Sequence, residues 1–198
     1  MTAEVPDLAA LLQRGAVPSS DFDLNPDVVL LAGRKLRPAA VLVGVMGRGA
    51  SARLLLTKRS SRLKHHPGQI AFPGGKVDDG DLDAADAALR EAEEEVALPR
   101  DRVEIIGTLA PHETVTGFSV TPVLGWIRDD FVIKPEPGEV DEAFYVPWSH
   151  VSDPDRFQVQ SRRWRGQRRY YYTVPYGPYY IWGATARILR SIAAPGRV

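Results

Sequence analysis

The sequence predicts an α/β protein, a mixed β-sheet sandwiched between helices (α/β/α), and three observations carry that expectation. Two apolar runs, AAVLVGVM (39–46) and ARLLLTKR (52–59), flank GRG and read as a hairpin of buried strands. Between Asp83 and Val96 the apolar residues Ala85, Ala88, Leu89, Ala92 and Val96 recur at helical spacing. The chain then closes on YYIWGATARILRSIA (179–193), which reads as a second amphipathic helix. Strands in the middle with helices around them imply a sheet covered on both faces.

The remaining elements follow in order. Residues 6–14 predict a short helix, and SSDFDLNPD (19–27) is a loop rich in turn formers. The stretch SSRLKHHPGQIAFPGG (60–75) reads as a loop that ends on Pro-Gly-Gly. Residues 103–133 predict two or three strands with turns near His112 and Gly117, and 142–148 another strand. RRWRGQRRYYY (162–172) reads as a hairpin turning at Gly166. The expected organisation is a helix-and-loop extension over 1–30 and one domain over 31–198, with no internal repeat and no disordered linker.

Composition narrows the function classes. An apolar share of 44 % supports a core large enough for an enzyme. Twenty-five basic and 25 acidic residues cancel, so no overall field draws the chain to nucleic acid or to an anionic membrane. No cysteine is present, which excludes disulfides, thiolate zinc sites and cysteine nucleophiles. The N-terminus lacks the charge and apolar pattern of a secretory signal, and GRV at the end is not the peroxisomal address. These features predict a cytoplasmic protein with a small-molecule partner. The aromatics Trp164 and Tyr170 to Tyr172 are candidates for a homodimer interface.

Against this ordinary background the predicted helix is unusual. Glu91, Glu93, Glu94 and Glu95 crowd into its last turns, where acids oppose the macrodipole, and Glu91, Glu94 and Glu95 share one face. Arg90, four residues before Glu94, offsets one of these charges. A divalent cation resolves the conflict, and carboxylates without histidine or cysteine are hard ligands suited to Mg2+ or Mn2+. Pro-Gly-Gly just upstream permits close backbone approach, and Asp78, Asp79 and Asp81 add oxygen donors near the helix start.

GGKVDDGDLDAADAALREAEEEVAL (74–98) resembles the Nudix box, G-x5-E-x7-R-E-U-x-E-E-x-G-U, with REAEEEVAL supplying its second half. The resemblance implies the Nudix fold and hydrolysis of a diphosphate linked to a further moiety. It makes Glu91, Glu94 and Glu95 metal ligands or general base, makes Arg90 the residue that orients them, and adds the Gly75 carbonyl as a ligand. Two departures stand out: Ala97 occupies the position of the box glycine, and Asp81 stands at the acid's offset from Gly75 but eight residues before Arg90 rather than seven.

The preceding segment, LLTKRSSRLKHHPGQIAFPGG (55–75), resembles the extra motif of the coenzyme A diphosphatase branch, L-L-T-x-R-S-x3-R-x3-G-x3-F-P-G-G. Lys64 replaces its second arginine, which keeps the charge and loses the bidentate fork. By that resemblance Arg59, Ser60, Lys64 and Gly74 bind substrate, and the products are 4′-phosphopantetheine and adenosine 3′,5′-bisphosphate. Glu139 resembles the loop position where many Nudix proteins place another ligand or base, with Glu136 and Glu142 as competitors. The general base is then Glu91 or a loop acid such as Glu139. Two rivals stay open: a Nudix hydrolase of ADP-ribose, a dinucleotide or another nucleoside diphosphate derivative, and a Nudix module that binds nucleotide without cleaving it.

Overall fold

A computed structural model describes residues 8–13, 17–30, 33–164 and 166–194. The start of the predicted extension, residue 165, and the C-terminal tripeptide lie outside that set. In chain order the elements are α1 (Leu8–Gln13), β1 (Ser19–Ser20), β2 (Arg37–Met46), β3 (Arg53–Arg59), β4 (Ile70–Ala71), β5 (Gly74–Lys76) and α2 (Ala84–Val96). There follow β6 (Val103–Thr108), β7 (His112–Glu113), β8 (Phe118–Ile127), β9 (Val140–Pro147), α3 (Trp148–Val151), β10 (Gln158–Trp164), β11 (Gln167–Thr173) and α4 (Gly183–Ala193).

Among the described residues nine strands form one mixed sheet with the path β1-β7-β8-β2-β3-β4, and β10 and β11 form a separate hairpin. The main sheet has helices on both faces, as predicted. On one face α2 presents Ala87, Ala88, Ala92 and Val96 to Ala40, Leu42, Leu55, Val123 and Ile127, and these small alanines let the helix lie close to the strands. On the other face Ile188, Leu189 and Ile192 of α4 pack over Val43, Leu54, Leu56, Leu124 and Val146, with Leu8 of α1 joining them. No helix among the described residues is long and apolar enough to cross a membrane.

The expected hairpin of β2 and β3 is corrected in one respect. The two strands pair only beside their turn, at Val45↔Leu54 and Met46↔Arg53, and then diverge. Further along, β3 pairs with β4 through Thr57↔Ala71 and Lys58↔Ile70, and β2 pairs with β5 through Ala39↔Lys76, Ala40↔Gly75 and Val41↔Gly74. The segment expected to be all loop therefore crosses the gap between two central strands, and Phe72-Pro73 makes the crossing. Beyond the gap β2 runs parallel to β8 over Arg37–Met46, while β3 takes β9 as its antiparallel neighbour. Both strands are buried along most of their length, which explains their unbroken apolar runs.

The helices start and stop for local reasons. Asp83 caps α2, its side chain accepting the Asp86 N–H at 2.9 Å. At the other end Ala97 takes the left-handed conformation (φ 58°), and its N–H reaches the Glu93 carbonyl at 3.0 Å. The last helix begins at Gly183 rather than Tyr179, because the Ile181 carbonyl is taken by Val174 N–H at 2.9 Å and by Thr173 Oγ at 3.0 Å. His112 lies inside β7 rather than at a turn and is fully buried, with Ser19 Oγ 2.9 Å from Nδ1 and Asp21 Oδ1 3.2 Å from Nε2. These bonds tie the N-terminal segment to the sheet, and the ion pair of Asp23 with buried Arg187 at 2.7 Å ties it to α4.

A left-handed residue with a Cβ is strained by about 1–2 kcal/mol, and glycine loses part of that gain to its looser unfolded chain. Ala97→Gly is therefore expected to raise stability by about 0.5–1 kcal/mol in chemical denaturation. An unchanged or lowered unfolding midpoint would show that the helix end is not strained.

Candidate active site

The crossing segment brings Gly74 and Gly75 over the carboxylate face of α2. Gly74 has φ 153°, and a Cβ there would collide with the Ala40 carbonyl and Val41. A Cβ on Gly75 would fall on the Glu91 carboxyl group, so any larger residue would push that carboxylate away from the backbone. Gly74 N–H donates to Glu95 Oε2 at 3.2 Å. Glu95 itself is 4 % exposed. A carboxylate in that position is desolvated with one backbone donor to compensate, and burial pushes it up to about 8. Burial also raises Glu91, against the pull of the neighbouring Arg90.

Arg90 does more than its spacing from Glu94 suggested. Its guanidinium grips Asp81 through both oxygens, Nε to Oδ1 at 2.8 Å and Nη2 to Oδ2 at 3.0 Å, and donates to the Lys76 carbonyl at 3.1 Å. Nη1 reaches Glu91 at 3.2 Å and Glu94 at 3.1 Å. The Asp81 side chain is 3 % exposed, and the Arg90 hydrogen bonds hold it down to about 2. Arg100 takes Glu93 at 3.0 Å and Asp86 at 2.8 Å. Every acid of α2 except Glu95 thus pairs with one of two shared arginines. Asp81, at the offset of the box acid from Gly75, is thus held by Arg90 despite the one-residue longer spacing between them.

The loop after β8 closes the arrangement. Lys134 and Glu136 N–H donate to the Val96 and Glu95 carbonyls at 3.1 and 2.9 Å, so the loop hangs from the end of α2. Ser60 N–H donates to the Glu139 carbonyl at 2.8 Å, which fixes Glu139 at the end of β3. From there exposed Glu139 raises the pKa of both Glu91 and Glu95, and Arg59 opposes the effect at Glu95. Gly74, Gly75, Glu91, Glu95, Glu139 and Arg59 thus surround one region.

Other candidates lie differently. Ser60 is 1 % exposed, and its hydroxyl accepts the Arg62 N–H at 3.3 Å, so it shapes the loop after β3. Lys64 is exposed in that same loop and bonds to none of the glutamates. Glu94, 56 % exposed, is turned toward Arg90. Glu142 accepts from the Tyr179 hydroxyl at 2.5 Å, away from the glutamate face, and Glu136 is exposed. Arg59 Nε is buried with no hydrogen-bond partner. An unsatisfied buried guanidinium nitrogen is uncommon, and this one belongs to the arginine that acts on Glu95.

Among the described residues, no three acidic or histidine side chains already converge as a ready-made metal cage. The donors nevertheless suit a hard divalent cation: carboxylates alone, one of them buried, beside a close-packed glycine backbone. Glu91, Glu95 and the Gly75 carbonyl could hold it, with Glu94 one turn away.

The raised Glu95 makes a stability prediction. Its folded value lies above the ordinary 4.5, so it contributes stability that is complete below about pH 4.5 and lost as pH rises through about 8. In chelator, the wild type is expected to lose stability over that interval and Glu95→Gln to lose much less. Parallel curves of unfolding free energy against pH would contradict the assignment.

Comparison with known proteins identifies the family. The NUDIX domain family matches residues 35–166, two thirds of the chain. The chain is 45 % identical over 157 residues to the uncharacterized Nudix hydrolase NudL of Escherichia coli K12, covering 79 % of this chain and 81 % of that one. A NudL of Enterobacter sp. strain 638 gives the same identity and coverage. Among solved structures, the Nudix hydrolase RenU of M. smegmatis aligns with a TM-score of 0.47 at 25 % identity, over 64 % of this chain and 78 % of that one. An Ap4A hydrolase of C. elegans aligns at 0.46 and 23 %, over 56 % of this chain and 80 % of that one. The family match and the 45 % identity together establish that this chain belongs to the Nudix hydrolase family.

Proposed function

We propose that this Nudix hydrolase cleaves the diphosphate of coenzyme A or a derivative, giving 4′-phosphopantetheine and adenosine 3′,5′-bisphosphate. One observation carries the reading: the segment 55–75, which resembles the coenzyme A motif, delivers Arg59 with its unpartnered Nε to the same region as Glu95 and Glu139. A cation with an open hydrogen-bonding position beside the carboxylates suits a phosphate oxygen.

In this reading Glu91, Glu94, Glu95 and the Gly75 carbonyl hold Mg2+ or Mn2+. The bound cation supplies charge neutralisation for the diphosphate and acidifies water. Arg90, anchored on Asp81, keeps Glu91 and Glu94 oriented. Water oxygen forms a bond to phosphorus as the bridging P–O bond breaks, and the leaving phosphate departs with that oxygen. Glu139, exposed and without a side-chain ion pair among the described residues, takes the water proton, whereas Glu91 is tied to Arg90. Arg59 steadies the substrate's phosphate.

A second reading, hydrolysis of another nucleoside diphosphate derivative, draws support from Lys64, which stands apart from the glutamates, and from buried Ser60. Product analysis by phosphorus NMR separates the two. Metal-dependent release of adenosine 3′,5′-bisphosphate from coenzyme A, ahead of ADP-ribose, NADH and diadenosine polyphosphates, is the expected result. Glu95→Gln should abolish it, and Arg59→Ala should raise KM by about tenfold or more. Preferential cleavage of another member of the panel would keep the catalytic helix and overturn the substrate.

A further inference from the structure

Beyond the catalytic region the hairpin of β10 and β11 breaks a local rule. Its register sets Arg162 opposite Arg169 and Arg163 opposite Arg168, two like-charge pairs across adjacent positions. Such pairs are unfavourable, and a solvated ladder would alternate in sign. Arg162 has no carboxylate partner among the described residues. Its guanidinium lies instead 4.4 Å over the ring of Trp182.

Around that pair the aromatics gather. Tyr171 meets Trp182 edge-on at 5.1 Å, Tyr180 lies 6.5 Å from Trp182, and the hydroxyls of Tyr171 and Tyr180 are 3.3 Å apart. Tyr180 is 47 % exposed. This cluster is built rather than loosely solvated. Asn25 clamps the hairpin from the N-terminal segment, accepting the Tyr170 N–H at 2.8 Å and donating to its carbonyl at 2.9 Å. Tyr172 and Thr173 anchor the base of β11 in the core.

The cluster also adjoins the loop that carries the phosphate-facing arginine. Thr185 Oγ, three residues past Trp182, donates to the Ile70 carbonyl at 3.0 Å, and Gly183 lies against the Gln69 side chain. Gln69 in turn accepts the Arg59 N–H at 2.9 Å. The loop 60–69 thus has Arg59 on one side and the aromatic cluster on the other.

We infer that Arg162, Tyr171, Tyr180 and Trp182 form the subsite for the nucleotide end of the substrate, with the purine stacked on Tyr180 and Trp182 and a phosphomonoester held by Arg162. The identity of the nucleotide rests on the coenzyme A reading; the stacking platform and its cation do not. Exposed aromatic faces take a base through stacking, and an adjacent guanidinium without a counter-charge takes its phosphate.

The test is binding of adenosine 3′,5′-bisphosphate in chelator, followed by quenching of tryptophan fluorescence. Wild type is expected to bind it, and Arg162→Ala and Tyr180→Ala to bind about tenfold more weakly, with Tyr180→Phe retaining affinity. With coenzyme A as substrate the loss should fall on KM rather than kcat. Equal binding by wild type and both alanine variants, or no binding by wild type, would overturn the inference. Cleavage of coenzyme A with unchanged KM in both variants would keep the substrate and remove the platform. Loss of bisphosphate binding in both variants, without cleavage of coenzyme A by wild type, would keep the platform and remove the substrate.

Discussion

The carboxyl group of Glu95 lies out of water against the Gly74 N–H, and the surrounding structure is arranged around that contact. To make it, β2 and β3 must separate, because the backbone that meets Glu95 enters through the gap between them. Two glycines are needed at the crossing, one to clear the Ala40 carbonyl and one to clear Glu91. The alanine-rich face of α2 is needed as well, since larger side chains would lift the carboxylates away from the backbone. A buried acid with so little compensation is unfavourable in isolation, and such conflicts are tolerated where function requires them.

Electrostatics around α2 divide into a solved part and an unsolved part. Arg90 pairs with Asp81, Glu91 and Glu94 and Arg100 with Asp86 and Glu93, which eases part of the repulsion expected at the negative end of a helix. Glu95 is left to a single backbone donor and the more distant Arg59. The arginines also hold their acids in fixed orientations, so the carboxylate face is organised before any ligand arrives. On the other side of the loop 60–69, the clamp of Asn25 on Tyr170 holds the basic hairpin in a comparable way.

Much of this was legible in the sequence where the signal was local. Helical spacing places α2 within a residue, and the turn at Gly166 falls where expected. Glu91 and Glu95 were singled out because acids there break a helix rule, and the break is real at Glu95. What escaped notice depends on long-range contacts. The parallel pairing of β2 with β8 joins residues some 80 positions apart, and no period in either strand announces it. Asp81 stands at the offset of the box acid, and the extra residue before Arg90 does not prevent the two side chains from pairing. The burial of Ser60 and the start of α4, which is set by bonds from Thr173 and Val174, are features that periodicity cannot see.

The central claim is that Glu95 is kept protonated near neutrality until a divalent cation takes the proton's place. Proton release on Mn2+ binding tests it most directly, by titration calorimetry in buffers of different ionisation heat at about pH 7 and about pH 9. The account predicts release of close to one proton at the lower pH, little at the higher, and loss of the difference in Glu95→Gln. Equal proton release at both pH values in the wild type would contradict it.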